Sequence, residues 1–589
     1  MTFEHENLLG SVRKPGRYVG REWNSITKSL AETDVSVCLA YPDAYEVGMP
    51  NLGLTILYDI INRDPGAVCE RVFSPWPDME AVLRESGTPL WSLETQRPLR
   101  DFDMLGITLQ YELNYSNILA LIELGGIALH ASDRKEDEPL VIGGGPCVYN
   151  PEPLAPFFDA FVIGDGEEVI QEIIDFLKST KNTKSTRMDK LQRLSALEGV
   201  YVPSLYEPAQ GQIKRRILAD LESFPPPCRP PVPNLEVVHD RFQVEIMRGC
   251  GRSCRFCQAG MVYRPIRERS VPTVLQAVRE GLANTGYNEV SLVSLSSTDY
   301  TGIVAATQEL VGEMSRKAVT VSLPSQRVDA FSVELADIIG GGKKTSLTFA
   351  PEAGTQRLRD VINKGVTEED LMRTAEIAFA SGWRKLKLYF MVGLPTETQD
   401  DLDGIVDLAY KLRALAMEVV PKNEHGRVNI TINVASFIPK AHTPFQWFGQ
   451  DTLETLRDKN SYLRDRLKKS YLNFKWHEPT MAKLEGALAR GDRSVSKAIE
   501  AAYKRGARFD SWHEYYDYDL WLAAFADAGL RLEDITDRTR AGDEELPWDF
   551  IAPGVSKTWL RKEFEKALDA STTTDCLSGC AGCGIKCQG

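Results

Sequence analysis

No run of about 18 consecutive apolar residues occurs in the 589-residue chain, so no membrane span is expected. The opening stretch, MTFEHENLLGSVRKPGRY, lacks the charged-then-apolar pattern of a secretory signal. A basic excess is missing too. The 69 Lys and Arg against 83 Asp and Glu leave a formal net charge of −14, which argues against a protein that coats nucleic acid. No short internal repeat and no long low-complexity tract interrupts the sequence. These absences leave a cytoplasmic, non-membrane protein of ordinary globular composition, 43% hydrophobic and 26% charged. A chain this long outgrows one hydrophobic core, so about two to four domains are expected.

Against that background the cysteines stand out, because disulfides are rare in reducing compartments. Seven of the 11 fall into two tight groups: Cys250, Cys254 and Cys257, then Cys576, Cys580, Cys583 and Cys587. Cys38, Cys69, Cys147 and Cys228 are scattered and read as incidental thiols.

The fold expected is α/β. Over 1–222, short apolar runs such as VSVCLAYP, MLGITLQ, PLVIGGGP and AFVIG alternate with helical patterns, the signature of a doubly wound parallel sheet. Ligands on such sheets bind beyond the carboxyl ends of the strands, here the loops at Tyr41–Met49, Gln110–Tyr115, Gly143–Pro146 and Gly164–Gly166. Residues 223–234 (SFPPPCRPPVPN) read as a Pro-rich, semi-rigid linker. From 235 to 450 the alternation resumes with six strand candidates, giving a six-unit β/α partial barrel rather than an eightfold one. Residues 451–570 read as a small, mostly helical region, and 571–589 as a cysteine-rich tail.

The spacing C-x3-C-x2-C of the first group, with no histidine in the loop, does not suit a closed zinc site, which wants four ligands. Three thiolates can hold three irons of a cubane cluster and leave the fourth iron open. A structural zinc knuckle is the competing reading.

CGRSCRFC resembles the signature loop of the radical S-adenosylmethionine (SAM) superfamily, including Phe256 before the third cysteine, and it follows the first barrel strand as that family requires. The resemblance implies a 4Fe–4S cluster on Cys250, Cys254 and Cys257, with SAM on the open iron and reductive cleavage to a 5′-deoxyadenosyl radical. It also implies SAM contacts strand by strand. Ser294 and Ser296, with Ser297, occupy the second-strand position, where serines replace the family's glycines. Arg327 would meet the SAM carboxylate at strand three, Glu352 of APEAGT the ribose, and Gly393 and Pro395 of GLPTET the adenine. As plain structure, Glu352 reads as a cap for the following helix and GLPTET as a strand-to-helix turn. Arg248, Arg252, Arg255, Arg264, Arg267 and Arg269 read either as a solvated basic face or as partners of an anionic cluster and a phosphate-bearing substrate.

A doubly wound domain ahead of such a barrel resembles the class with an N-terminal cobalamin-binding-type domain. YPDAYEVGMPNLG, VIGGGP, GDGEE and FIPKAHTPFQW look like one bacterial branch of it. This implies cobalamin at Tyr41, Thr108, Gln110, Gly143, Gly144, Gly145 and Gly164, as a methyl carrier. The D-x-H-x-x-G motif of one cobalamin-domain type is absent, and none of the 7 histidines has its context. The bland reading is a vestigial domain in which the triple glycine only turns the chain, and Glu167 and Glu168 only suit a helix dipole.

The tail, C-x3-C-x2-C-x3-C, has four thiolates and so closes a second 4Fe–4S cluster or a zinc site. Trp512, Tyr515, Tyr516, Tyr518 and Trp521 read as core packing rather than as a nucleobase platform. The expected activity is radical SAM chemistry, with cobalamin-dependent methylation of an unactivated carbon leading. The alternatives are rearrangement, cyclisation or sulfur insertion, or a non-catalytic RNA- or ribosome-associated metal protein. The expected partners are a substrate and a reductant such as flavodoxin or ferredoxin. RNA binding is not favoured by the net charge.

Overall fold

The computed structural model describes residues 3–29, 32–181, 183, 185–314, 317–323 and 346–585. The expectations at Arg327 and Cys587 lie outside them.

Strand β1 (Val35–Tyr41, VSVCLAY) is buried along its whole length, as is its neighbour β2 (Ala67–Phe73). Near-continuous apolar strands of this kind belong to parallel sheets covered on both faces. With β3 (Met104–Thr108), β4 (Leu140–Gly144), β5 (Ala160–Val162) and β6 (Val200–Tyr201) they form one sheet in the order β2-β1-β3-β4-β5-β6. All pairs are parallel except β5 with β6. The order reverses between β1 and β3, and that switch point is where such sheets open a crevice for a ligand.

Period-two alternation sorts the side chains of β1 between two cores. Val35, Val37, Leu39 and Tyr41 share a cluster with Leu54 and Tyr58 of helix Leu52–Arg63 and with Ile170 and Ile173 of helix Glu167–Thr180. Cys38 and Ala40 point the other way. Their cluster holds Ile118 and Leu121 of helix Tyr115–Leu124, and also Leu484, Ile499, Trp521 and Trp559 from the far end of the chain.

The region 451–570 is therefore not a separate helical domain. Helices Pro479–Arg490, Val495–Lys504 and Tyr518–Asp527 supply the second covering layer of the N-terminal sheet. A small parallel pair, β7 (Ile213–Lys214) with β17 (Ile551–Ala552), ties the two parts again. Trp521 is core, and Trp512 donates to Asp43 at 2.9 Å, so the aromatic run packs the interior.

The Pro-rich stretch has no helix or long strand, yet it lies against the N-terminal domain. Val232 bridges Trp23, and Asn234 donates to Gly20 O at 2.8 Å. Beyond it, β8 (Phe242–Glu245), β9 (Met247–Arg248), β10 (Arg267–Glu268), β11 (Glu289–Val293) and β12 (Thr320–Ser322) begin the barrel, with the parallel order β12-β11-β8. β13 (Leu347–Glu352), β14 (Lys385–Val392), β15 (Asn429–Ser436) and β16 (Leu472–Trp476) form a second parallel sheet in that order. β16, LNFKW, is a seventh barrel strand inside the stretch expected to be helical. It is short, half exposed and flanked by helical patterns, so its sequence carried little strand signal.

Candidate active site

The signature loop is a closed lariat. At its base β9 pairs antiparallel with β10, Arg248 opposite Arg267. Gly249 enters the loop with φ +87, where a Cβ would lie 2.5 Å from Pro265 O and 2.6 Å from Tyr263 O, so only glycine fits. Cys250, Cys254 and Cys257 follow, and the helical turn Ala259–Val262 returns the chain. Burial pushes the Cys257 thiol up to about 12, and neighbouring Cys254 and Cys250 push it in the same direction. The Gly260 N–H donates to Cys257 Sγ at 3.3 Å and opposes the rise. Three thiols on one loop, two of them within electrostatic reach of Cys257, with an amide aimed at its sulfur, would suit a polynuclear iron centre that holds them as thiolates. Among the described residues, no three His, Cys, Asp or Glu side chains gather as a single metal ion would need.

None of the six loop arginines forms a solvated face or reaches for an outside phosphate; each is held within the protein. Arg248 pairs with Glu245, Asp165 and Glu167. Arg267 reaches Asp165 and Leu218 O. Burial raises the Asp165 carboxyl, but Arg248 and Arg267 outweigh it and hold the group below its ordinary value. Arg252 bridges Asp299 and Asp575. Arg255 is fully buried against Glu563 at 3.0 Å. Arg264 donates to Gly260 O at 2.8 Å and Ser253 Oγ at 3.0 Å, and Arg269 to Leu221 O at 2.6 Å. Guanidinium forks with several fixed donors are suited to pinning an irregular loop in this way.

The structure brings together several of the SAM-contact candidates. Phe256 packs with Ala353, Leu394 and Phe437 at the carboxyl ends of β13, β14 and β15. Glu352 sits at a register shift of β13 with φ +67 and accepts from Lys364 Nζ at 3.1 Å, while that ammonium also lies 5.9 Å from the Phe256 ring. A left-handed glutamate at a bulge is the kind of backbone conformation that clusters at ligand sites. The Gly393 N–H donates to Glu397, which also pairs with Lys459, and Thr398 forms a capping box with Asp401, so GLPTET is both turn and helix start. The second-strand serines divide. Ser294 faces a cavity, whereas Ser296 is buried and donates to Asp299 at 2.7 Å, the same carboxylate that holds Arg252. Ser297 is buried behind them and donates to Leu292 O.

That cavity, about 450 Å³, lies at the switch point of the N-terminal sheet. Thr108, Gln110, Gly143, Gly144, Gly145 and Gly164 line it; Tyr41 does not, being buried between Asp43 and Cys147. A Cβ at Gly144 would meet nothing within 4 Å, so the absent side chain opens this part of the wall. Its apolar depth is Leu39, Leu57, Met104, Ile142, Ile170 and Ile173. Its far wall belongs to the barrel: Met247, Arg248, Gly249, Tyr263, Val293 and Ser294. The cavity thus spans both domains and touches the residue before Cys250. The strand ends alone do not point to Asn51–Leu54 or to the barrel wall, although PNLG in the first family-like stretch marks the former.

A second polar group was not legible in sequence. Lys440 Nζ lies 2.7 Å from Glu112 and 2.8 Å from Glu485, whose other oxygen accepts from Tyr111 at 2.8 Å. Burial would lower Lys440, but the two carboxylates outweigh it and raise its pKa; burial raises Glu112 even with that ammonium beside it. The neighbouring Ala441 O accepts from Gln258, next to Cys257. The loops after β1 and β3 that carry Asp43 and Glu112 are covered by Trp512, by Lys440 of the loop after β15 and by Glu485 of helix Pro479–Arg490, so only part of the expected crevice remains open.

Comparison with known proteins gives two family matches: "Radical SAM proteins, N-terminal" over residues 53–203 and "Radical SAM superfamily" over residues 244–409. An uncharacterized protein of Methanocaldococcus jannaschii is 29% identical over 500 residues, covering 84% of this chain and 97% of its own. An uncharacterized methyltransferase of Pyrococcus horikoshii is 23% identical over 324 residues, 53% of this chain and 65% of that protein. The radical S-adenosylmethionine methyltransferase TsrM of Kitasatospora setae, solved with cobalamin and a 4Fe–4S cluster, aligns with a TM-score of 0.46 at 16% identity, over 68% of this chain and 74% of that one. Among the described residues, no helix is long and apolar enough to cross a membrane. With a three-cysteine lariat on its first barrel strand, and family models spanning more than half its length, the chain belongs to the radical SAM superfamily and is a radical SAM enzyme.

Proposed function

We propose that this enzyme holds cobalamin in the cavity between the N-terminal sheet and the barrel, and that it methylates an unactivated carbon of its substrate. The cavity carries the reading: it lies at the switch point, is lined by six of the seven strand-end residues expected for that cofactor, and continues to Gly249 beside the signature loop. Thr108, Gln110 and the backbone of Gly143–Gly145 would hold the polar rim, and the apolar depth would take a ring that water must leave. No histidine lines it, so the chain offers cobalt no imidazole there. The name of the Pyrococcus horikoshii relative also supports a methyltransferase.

Cys250, Cys254 and Cys257 would hold the cluster, and Glu352, Gly393, Pro395, Phe256 and Ser294 would orient SAM over it. Bound together, cobalamin, cluster and SAM supply a methyl carrier and a hydrogen-abstracting radical. The chain's own part is to fix the lariat through its arginines and to close the site with the C-terminal helices.

The test is protein purified without oxygen from cells supplied with cobalamin. Wild type should hold cobalt near one per chain and give S-adenosylhomocysteine with labelled methyl transfer to product. Gly144→Phe, which fills the cavity from a position where a side chain has room, should lose cobalt and keep its iron. Retention of cobalt by Gly144→Phe, or none in wild type, rejects the seat. Formation of 5′-deoxyadenosine without S-adenosylhomocysteine would move the assignment to rearrangement, cyclisation or sulfur insertion, the reading that the four-cysteine tail favours.

A further inference from the structure

The strand β14, KLKLYFMV, has two unlike faces. Leu386, Leu388 and Phe390 share a core with Leu371, Leu402 and Leu463 of the covering helices Glu368–Ala380, Gln399–Val419 and Leu453–Arg466. Period-two alternation turns Lys387, Tyr389 and Met391 the other way, onto the inner wall of the barrel. The register carries this wall across two more strands. Lys387 stands opposite Thr431, which stands opposite Asn473; one step nearer the mouth, Tyr389 stands opposite Asn433, which stands opposite Lys475. At the mouth Met391 packs against the apolar group that holds Phe256 of the signature loop.

The charges on this wall have no partners. Lys387 and Lys475 are both exposed, and among the described residues no carboxylate pairs with either. Glu352, on the same face of β13, is taken by Lys364. Between the two lysines, Asn433 Nδ2 is buried without an acceptor, and the Tyr389 ring is 43% exposed beside it. An unmade hydrogen bond of that kind costs free energy until an acceptor arrives. Two strand spacings and one register step separate the lysine Cα atoms by about 12 Å, so their extended side chains can converge on one anion over Thr431 and Asn433. The chain as a whole carries a net charge of −14 and its signature-loop arginines are all paired, which makes two free ammonium groups inside the barrel unusual.

We propose that the substrate is a small phosphate ester, bound with its phosphate between Lys387 and Lys475 and its reacting carbon toward Glu352 and Met391. Two cations with an amide donor between them suit a dianion better than a single carboxylate, and lysine serves phosphate as a point charge. The two lysines lie two and four residues below the level of Met391, so phosphate and reacting carbon are about 7–13 Å apart. An acidic chain with its free cations on an inner wall favours a small molecule over a nucleic acid. The proposal rests on the reading that SAM sits at the carboxyl ends of β13 and β14, and its test separates the two.

Anaerobically reconstituted holoenzyme is dialysed to equilibrium against labelled inorganic phosphate. Wild type should bind about one phosphate per chain, displaced by phenyl phosphate but not by acetate at the same concentration. Lys387→Met and Lys475→Met should each weaken binding about tenfold or more, whereas Lys387→Arg and the distant Lys497→Met should stay within severalfold of wild type. Where a methionine variant does not fold, glutamine takes its place. Binding that does not saturate, or that survives both methionine variants, overturns the proposal. So does equal displacement by acetate, which would mean a carboxylate site, or none by phenyl phosphate, which would mean a site for the free ion. Displacement by oligouridylate at far lower concentration than by phenyl phosphate would make the ligand a nucleic acid and also overturns it. The electron paramagnetic resonance signal of the reduced cluster, read with and without SAM on the same samples, should be perturbed by SAM equally in wild type and the lysine variants. No perturbation in wild type would reject the placement of SAM, and with it the substrate role, whatever the lysines bind.

Discussion

Replacing Arg255 by methionine tests how the C-terminal region holds the signature loop. The guanidinium, fully buried between Cys254 and Cys257, donates to Glu563 at 3.1 and 3.0 Å, to Ser571 O at 2.6 Å, to Val361 O at 2.9 Å and to Asp360 O at 3.1 Å. Breaking a buried ion pair from one side typically costs about 3–5 kcal/mol, because the remaining charge is stranded. Here Glu563 keeps Lys566 at 3.0 Å and Thr573 at 2.7 Å, which places the cost near the lower end, about 3 kcal/mol. If that energy opposes local opening of the tail, hydrogen exchange over 557–583 should accelerate about a hundredfold. The double variant Arg255→Met with Glu563→Met removes both charges and should recover much of the loss, since an apolar pair can replace a buried ion pair at little cost. Mass-spectrometric exchange on Arg255→Met, Glu563→Met, the double variant and wild type gives the coupling directly. Additive effects, or exchange in Arg255→Met within severalfold of wild type, would refute the claim that this pair clamps the tail to the loop.

Two glycines offer a contrast. At Gly354 a Cβ would lie 2.2 Å from Asp401 O and 2.4 Å from Ile405 N, backbone atoms of the helix Gln399–Val419, so Gly354→Ala should destabilise by about 3 kcal/mol or more and lower the unfolding temperature. Gly312, exposed in helix Ile303–Met314 with nothing within 4 Å, should become more stable by about 0.5–1 kcal/mol as alanine in the same assay. Asp510 supplies a pH test. Burial pushes its carboxyl up to about 6, against the hydrogen bonds from Ser116 and from Trp521 at 2.8 Å. A raised acid favours the folded state below its unfolded pKa and loses that advantage as pH climbs through the folded value. Denaturant unfolding should therefore find wild type losing about 3 kcal/mol relative to Asp510→Asn between about pH 3.5 and pH 7. A difference that stays flat with pH, or runs the other way, would refute it.

The cysteine spacing and the order of strands were local facts, and the sequence carried them. Three thiols on one loop after an apolar strand define a cluster site wherever the loop is placed, and VSVCLAY is a buried strand in any fold that covers both its faces. β16 was lost to the same logic in reverse, because LNFKW is a half-exposed edge strand whose main stabilisation is its pairing with β15. The six arginines looked alike in sequence and turned out to have six different sets of partners, most of them far along the chain, such as Asp165, Asp299 and Glu563. The N-terminal sheet likewise shows its need for cover in its own residues, while the identity of the cover, helices from 479 to 527, appears only once the chain has folded back. Sequence by itself determined which atoms can bind a cluster and which segments must be buried, since both follow from residue type and short-range spacing. Tertiary structure alone decided what each charge pairs with, where the cavity opens, and that the tail lies on the signature loop, because those depend on contacts between residues hundreds of positions apart.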